Sequence, residues 1–309
     1  MENRLHISVS PHIRAKRTTR SIMLDVIIAL LPATIAGVVI FGLNSLAVIG
    51  VCVASAVLAE VLFNLAVKKE QTIGDLSSII TGLIIALNLP VNVPLWQAAI
   101  SAVFAIVVVK CLFGGLGKNL VNPAATARVF MLIAFGSLAT SAMPEGVDAA
   151  SSATPLSTLV EGNVPELMDL FLGNTGGAIG ETCKVALLIG GIYLIARKVI
   201  TWHIPVAFIG SVFLLSFIIE DFNALTALAW VLSGGLILGA IFMATDYVTS
   251  PVTPLGKIVF GIGAGVITVL IRFWGVYPEG VSFGILLMNI LNPFICSLTA
   301  RKLFAGGKK

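Results

Sequence analysis

Asp148-Ala-Ala-Ser-Ser-Ala-Thr154-Pro-Leu156 is a run of small and hydroxyl-bearing residues in a chain that is otherwise strongly apolar. The chemistry it could support is covalent attachment. Thr154, flanked by Ala153 and Pro155, offers an accessible hydroxyl on backbone that proline holds away from the helical region. Its small neighbours leave room for a bulky group. The segment from Pro144 to Glu181 carries six acids (Glu145, Asp148, Glu161, Glu166, Asp169 and Glu181) and no Lys or Arg. The same hydroxyls have a purely mechanical reading: Ser151, Ser152, Thr154, Ser157 and Thr158 make a polar loop that caps a short helix.

Other residues with chemical potential are isolated. Glu60, within Val57-Leu-Ala-Glu60-Val-Leu-Phe63, is costly in a membrane unless paired or facing a polar cavity. It reads as part of a cation path, as a group snorkelling toward Lys68-Lys69, or as a bond to a neighbouring subunit. Asp246, in Ala244-Thr-Asp-Tyr-Val-Thr-Ser-Pro251, has the richest polar setting of the acids near helix ends and is a candidate for cation or flavin contact. Gly114-Gly115-Leu-Gly117-Lys118-Asn119 invites a phosphate-loop reading. The spacing of a nucleotide loop is incomplete, so a broken-helix turn built with Asn119 and Asn122 is expected instead. Arg128, about one turn into the fifth span, is expected to be a cytoplasm-facing structural partner for an acid or to contact a second flavin. Cys52, Cys111, Cys183 and Cys296 lack metal-ligand spacing, and His6, His12 and His203 do not cluster. Neither a metal site nor a catalytic side chain is expected within the chain.

These residues are positioned by membrane helices. Apolar residues make up 58% of the 309 and charged residues 11%, against roughly 25% charged in soluble domains. Runs of spanning length predict about ten helices, near 22–42, 45–67, 73–90, 94–114, 123–143, 182–200, 204–219, 224–244, 256–275 and 280–303. Lys and Arg should gather on alternate loops if that number is right. Lys68-Lys69, Lys110 with Lys118, Arg197-Lys198, Lys257 and the C-terminal basic group fall on the side of the basic N-terminus. Both termini are therefore expected in the cytoplasm, and the Thr154 loop outside it. The divisions are a cytoplasmic segment 1–21, a five-helix unit 22–143, an extracytoplasmic loop 144–181, a second five-helix unit 182–303 and a tail 304–309. Asn119-Leu-Val-Asn-Pro123 matches Asn289-Ile-Leu-Asn-Pro293, and Thr81-Gly-Leu-Ile-Ile matches Ser233-Gly-Gly-Leu-Ile. Five spans per unit would make the units an inverted repeat. The net charge of +4 marks topology and lipid contact, not nucleic-acid binding.

Asp148, Ser151, Ala153 and Thr154 resemble, in order, the flavin-attachment pattern of a family formed by the D subunits of Rnf electron-transport complexes and the B subunits of sodium-translocating NADH:quinone oxidoreductases. That pattern is Asp, two residues, Ser or Thr, one residue, Ala and the acceptor Thr. The resemblance covers nearly the whole chain, including Gly114–Asn119, Asn122-Pro123-Ala124 and Ala244–Pro251. It implies FMN joined to Thr154 through a phosphodiester by a flavin transferase that takes FMN from FAD, with Asp148, Ser151, Ser152 and Ala153 as the attachment motif. It also makes plausible a second, non-covalent flavin within the bundle, with Glu60, Asn119, Asn122, Arg128 and Asp246 as candidates for that site or an ion path. Because only about 20 residues precede the first span, the chain sits nearer the Rnf side. The implied assembly contains the FMN-bearing G subunit, the A and E membrane subunits, and the B and C electron-input subunits. It lies in the bacterial cell membrane and links ferredoxin oxidation and NAD reduction to Na⁺ or H⁺ export. The competing classes are a quinone-reducing relative and a cofactor-free transporter or channel with the same repeat.

Overall fold

The computed structural model describes residues 17–135, 154–275 and 279–300, which build a helical bundle. α1 (Thr19–Phe41) begins where the Thr18 hydroxyl accepts from the Ser21 amide while Ser21 reaches back to the Thr18 amide, satisfying first-turn donors reciprocally. Gly42, at φ +74°, turns the chain into α2 (Leu43–Ala66), a backbone setting open to glycine. Then follow α3 (Ser77–Leu87) and α4 (Leu95–Phe104), which runs on as a π-helical stretch, Ala105–Cys111. α5 (Pro123–Phe135), α6 (Pro155–Val160), α7 (Leu167–Leu172), α8 (Lys184–Ala196) and α9 (His203–Ile219) come next. α10 (Ala224–Leu232) breaks into α11 (Leu236–Leu238), itself continued by π-helical Gly239–Met243, and α12 (Pro254–Trp274) and α13 (Val281–Thr299) complete the bundle.

Among the described residues a helix overlaps each of the ten ranges read from the sequence, but helix length alone supports fewer crossings. α1, α2, α12 and α13 are each long and apolar enough to span a membrane, and α10 with α11, bent by 66°, makes a fifth if counted as one span. α3 has 11 residues, about 16 Å at 1.5 Å per residue, against a hydrocarbon core of about 30 Å. The cause of its early stop is visible. Past Leu87 the chain unwinds, and the carbonyls of Leu87 and Leu89 accept from the amides of Gly180 and Ile179 at 2.9 and 3.0 Å. A broken helix at membrane depth requires such internal partners. Residues 176–181, expected in an external loop, are therefore buried, with Ile179 and Gly180 bonded to the end of α3. Gly180 permits the approach, since a Cβ there would lie 2.5 Å from the Leu87 Cβ.

One core runs through both halves of the chain, including Leu30 of α1, Leu87 of α3, Leu187 of α8, Phe208 of α9 and Phe260 of α12. α1 packs along α8, and at Gly190 a Cβ would press into the Ala29 backbone carbonyl, far inside van der Waals contact. Gly190→Ala is expected to lower the thermal unfolding midpoint of the detergent-solubilised protein, costing at least the ~1–3 kcal/mol typical of overpacking because the obstacle is backbone. An unchanged midpoint would show that the two helices part without penalty.

Candidate functional sites at the two ends of helix α8

Two polar clusters lie at opposite ends of α8. The first is a cleft lined by Asn119, Asn122, Lys110, Asp246, Tyr247 and, from α8, Leu194, among other mostly apolar residues. Asn122 organises its floor. Its Oδ1 accepts from the amides of Ala124 and Ala125 at 2.9 and 3.0 Å, capping α5, and its Nδ2 donates to the Met243 carbonyl at 3.0 Å. Its own amide donates to Asn289 Oδ1 at 3.0 Å, and Asn289 Nδ2 donates to the Thr249 carbonyl at 3.1 Å. The asparagines of the two matched segments thus meet and take up backbone groups freed at the end of the π-helical stretch and in the loop after it. Asp246 accepts from Thr249 Oγ1 at 3.1 Å and lies within hydrogen-bonding reach of Asn119. Gly114, Gly115 and Gly117, with φ of +116°, +97° and +88°, form the turn that leads to Asn119.

Glu60 does not line this cleft but stands behind it. Its Oε1 accepts from Lys110 Nζ at 2.8 Å and from Thr72 Oγ1 at 2.6 Å, and Lys110 also donates to Ser77 Oγ at 2.6 Å. Both charged side chains are 3% exposed. Glu60 is thus paired within the chain and is not a snorkelling group. Lys110, which resembles a flanking topology charge in the sequence, is a buried cation on the π-helical turn, a feature often found at functional sites.

The second cluster surrounds Thr154. This residue is half-buried and extended (φ −68°, ψ 151°), with Pro155 as the first residue of α6. Its Oγ1 accepts from the Ser157 amide at 3.2 Å, so the capping role is real. It leaves the hydroxyl at the rim of a cleft shared with Thr182, Glu181, Lys184, Ser233 and Glu279. Asp148, Ser151, Ser152 and Ala153 lie outside the described residues. Beneath the cleft, Arg128 bridges Glu181 Oε2 at 3.2 Å and Glu279 Oε2, and donates to Asn88 Oδ1. Arg128 therefore joins the Thr154 cluster and not the Asn122 cleft, and its partners come from loops read as lying across the membrane from the start of α5. Arg272 donates to the carbonyls of Trp230 and Ser233 at 2.6 and 3.1 Å, and Lys184 donates to those of Gly234 at 3.2 Å and Glu181. Apart from that of Glu181, these carbonyls are exposed where α10 ends, where positive charge is favoured.

Sequence reading passed over Lys184, Arg272, Asn88, the burial of Glu181 and the pairing of Glu279 with Arg128. The available signal was Arg272 within an apolar run, since an ionisable residue in a spanning segment marks a polar interior by default. Among the described residues no group of three or more His, Cys, Asp or Glu side chains could hold a metal ion.

Broken helices that meet over buried ion pairs, with a polar cleft toward each end of the bundle, define a polytopic membrane protein built around a polar interior. More narrowly, the chain belongs to the family described as NQR2, RnfD, RnfE, which it matches over residues 6–305. It is 44% identical to the D subunit of the Na(+)-translocating ferredoxin:NAD(+) oxidoreductase complex of Acetobacterium woodii, over 98% of this chain and 96% of the relative. It is 39% identical to the D subunit of the proton-translocating ferredoxin:NAD(+) oxidoreductase complex of Clostridium ljungdahlii, over 96% and 95%. Identity to the D subunit of the ion-translocating oxidoreductase complex of Pectobacterium atrosepticum is 35%, over 94% and 95%.

Proposed function

We propose that this chain is the membrane subunit of an Rnf-type complex, carries FMN covalently on Thr154, and relays electrons between ferredoxin- and NAD-reactive partners in step with cation export. Kinship to subunits so named along nearly the full length supports the reading. The observation that carries the attachment is the Thr154 hydroxyl, extended before proline at the rim of a polar cleft. Attachment forms a bond from Thr154 Oγ to the phosphorus of FMN as the FAD pyrophosphate breaks, with AMP leaving. A flavin transferase would supply that step. When bound, the flavin supplies two-electron uptake with one-electron release.

The Asn122 cleft fits a second, non-covalent flavin: apolar walls for a flat ring, and Asn119, Asn122, Lys110 and Asp246 for its polar edge. Leu194 at this cleft and Lys184 at the other are ten residues apart on α8, about 15 Å along its axis, so the two sites lie on opposite sides of a thin bundle. Thr154 would be extracytoplasmic and both termini cytoplasmic, in a bacterial cell membrane. α2 packs on α3 and α4 as α9 packs on α10 and α12, which supports ten membrane-embedded helices in a five-plus-five inverted repeat.

Counting flavins in the purified complex tests the reading. One flavin is expected to survive denaturation on the Thr154 peptide and one to be extractable. Asn122→Ala, which removes the cap and the bond to Met243, is expected to cost the extractable flavin and spare the covalent one. A single flavin in the wild type, or two retained in Asn122→Ala, would refute the second site. A cofactor-free transporter would leave the Thr154 peptide unmodified. Electron transfer in vesicles with and without a sodium ionophore separates Na⁺ from H⁺, on which the relatives' names differ.

A further inference from the structure

Among the described residues the Thr154 cluster is unbalanced in charge and in hydrogen bonds. Arg128, Lys184 and Arg272 are 6%, 3% and 2% exposed, and Glu181 is 5% exposed. Both carboxylates, Glu181 and Glu279, are in ion-pair contact with Arg128. Among the described residues neither Lys184 nor Arg272 has a carboxylate in ion-pair contact; Lys184 gives two of its three N–H donors to backbone carbonyls and keeps one, while Arg272 is held by three carbonyls. Three cations among the described residues therefore face two carboxylates, a surplus of one positive charge where an uncompensated buried ion is costly. Two hydroxyls in the same cleft, Thr182 Oγ1 and Ser233 Oγ, are buried without a hydrogen-bond partner among the described residues, on residues 3% and 1% exposed. Buried polar groups are rarely left unpaired. Thr182, Ser233, Lys184 and Thr154 all line the one small cleft. Arg272 lies close by, since a Cβ on Gly234 would sit 3.4 Å from its Nη2 and 3.7 Å from Leu156 Cδ2.

We propose that this cleft is a seat for one phosphate-ester anion, the phosphodiester on Thr154, with Lys184 as its cation and the Thr182 and Ser233 hydroxyls as donors. The inference rests on the attachment reading above and adds the residues that hold the linkage. A phosphodiester carries one negative charge, which equals the surplus. Its free oxygens are acceptors, which is what a lysine and two unused hydroxyls require. Arg272, committed to carbonyls, contributes charge without contact. Seating the phosphate would fix the flavin at the exit of the bundle and shield the ester from water.

The test uses the intact complex, purified from cells containing the flavin transferase. Flavin on the Thr154 peptide is quantified by mass after denaturation, and flavin release from the native complex by an added phosphodiesterase is followed by fluorescence. Release is expected to be slow in the wild type and about ten-fold or more faster in Lys184→Met, the scale of one lost charge-assisted bond, with Lys184→Arg recovering most of the protection. Thr182→Val and Ser233→Ala separate a seat from scaffolding. A buried hydroxyl with no partner adds nothing to stability, so a structural role predicts no loss on its removal, whereas a seat predicts faster release in both. Denatured samples should release flavin at one rate. Equal release from native wild type and all variants, whether fast or absent, overturns the seat while leaving the attachment intact. An unmodified Thr154 peptide in the wild type overturns the attachment itself.

Discussion

Thr154→Ala is expected to abolish the flavin fluorescence that stays with the denatured polypeptide and to stop electron transfer through the complex, while the chain still folds and assembles. The asymmetry follows from what the side chain does. As the cap of α6 its hydroxyl satisfies the Ser157 amide, and losing such a cap costs about 1 kcal/mol. As an acceptor for a phosphoryl group it has no substitute: alanine has no oxygen, and a missing cofactor ends the relay however stable the helix remains. Thr154→Ser keeps both the oxygen and the cap and is expected to retain covalent flavin. Ser157→Ala and Thr158→Ala remove neighbouring hydroxyls that bond to the carbonyls of Thr154 and Pro155, and both variants should keep the flavin. The decisive measurements are in-gel fluorescence and the mass of the peptide containing residue 154. Covalent flavin persisting in Thr154→Ala, or an unmodified peptide with electron transfer intact, would defeat the assignment.

The positions of the helices were legible in the sequence because membrane solvent imposes long apolar runs and proline or glycine at their ends; each expected range overlaps a helix among the described residues. Where those helices stop was not. α3 ends at Leu87 because its freed carbonyls find donors at Gly180 and Ile179, some ninety residues on, and no local signal announces so distant a partner. Thr154 emerged from the order of its neighbours in a known pattern and from alternating loop charge, and proline placed it in extended backbone as observed. Its electrostatic surroundings stayed hidden for a simple reason. Glu181, Lys184 and Glu279 stand at helix ends, where charge ordinarily means solvent, and only the packing of α3, α8 and the α10–α11 break turns them inward. Glu60 and Lys110 are fifty residues apart and each has a plausible exposed reading. Their pairing at 2.8 Å is a property of the fold.

Arg128→Met is expected to be the most damaging of the charge substitutions. The guanidinium fork is shared among Asn88, Glu181 and Glu279, which tie together the unwound end of α3, the buried 176–182 segment and the chain preceding α13. Methionine preserves much of the volume but strands two carboxylates, one of them 7% exposed. Breaking a buried pair from one side costs about 3–5 kcal/mol, so the thermal midpoint of the solubilised protein should fall sharply and accumulation in the membrane with it. Arg128→Lys should lie between, because a single ammonium cannot reach three acceptors in the geometry the planar fork matches. Arg128→Met combined with Glu181→Gln removes a cation and an anion together and should recover part of the loss, since the cost comes from the stranded charge more than from the missing contact. Equal midpoints for wild type and Arg128→Met would mean that water reaches the two glutamates freely, and the polar interior would then be an open vestibule. A fall that the double substitution partly reverses would establish that the broken end of α3, the segment around Glu181 and the chain preceding α13 are held together by charge, on the same framework that carries Thr154 at its rim.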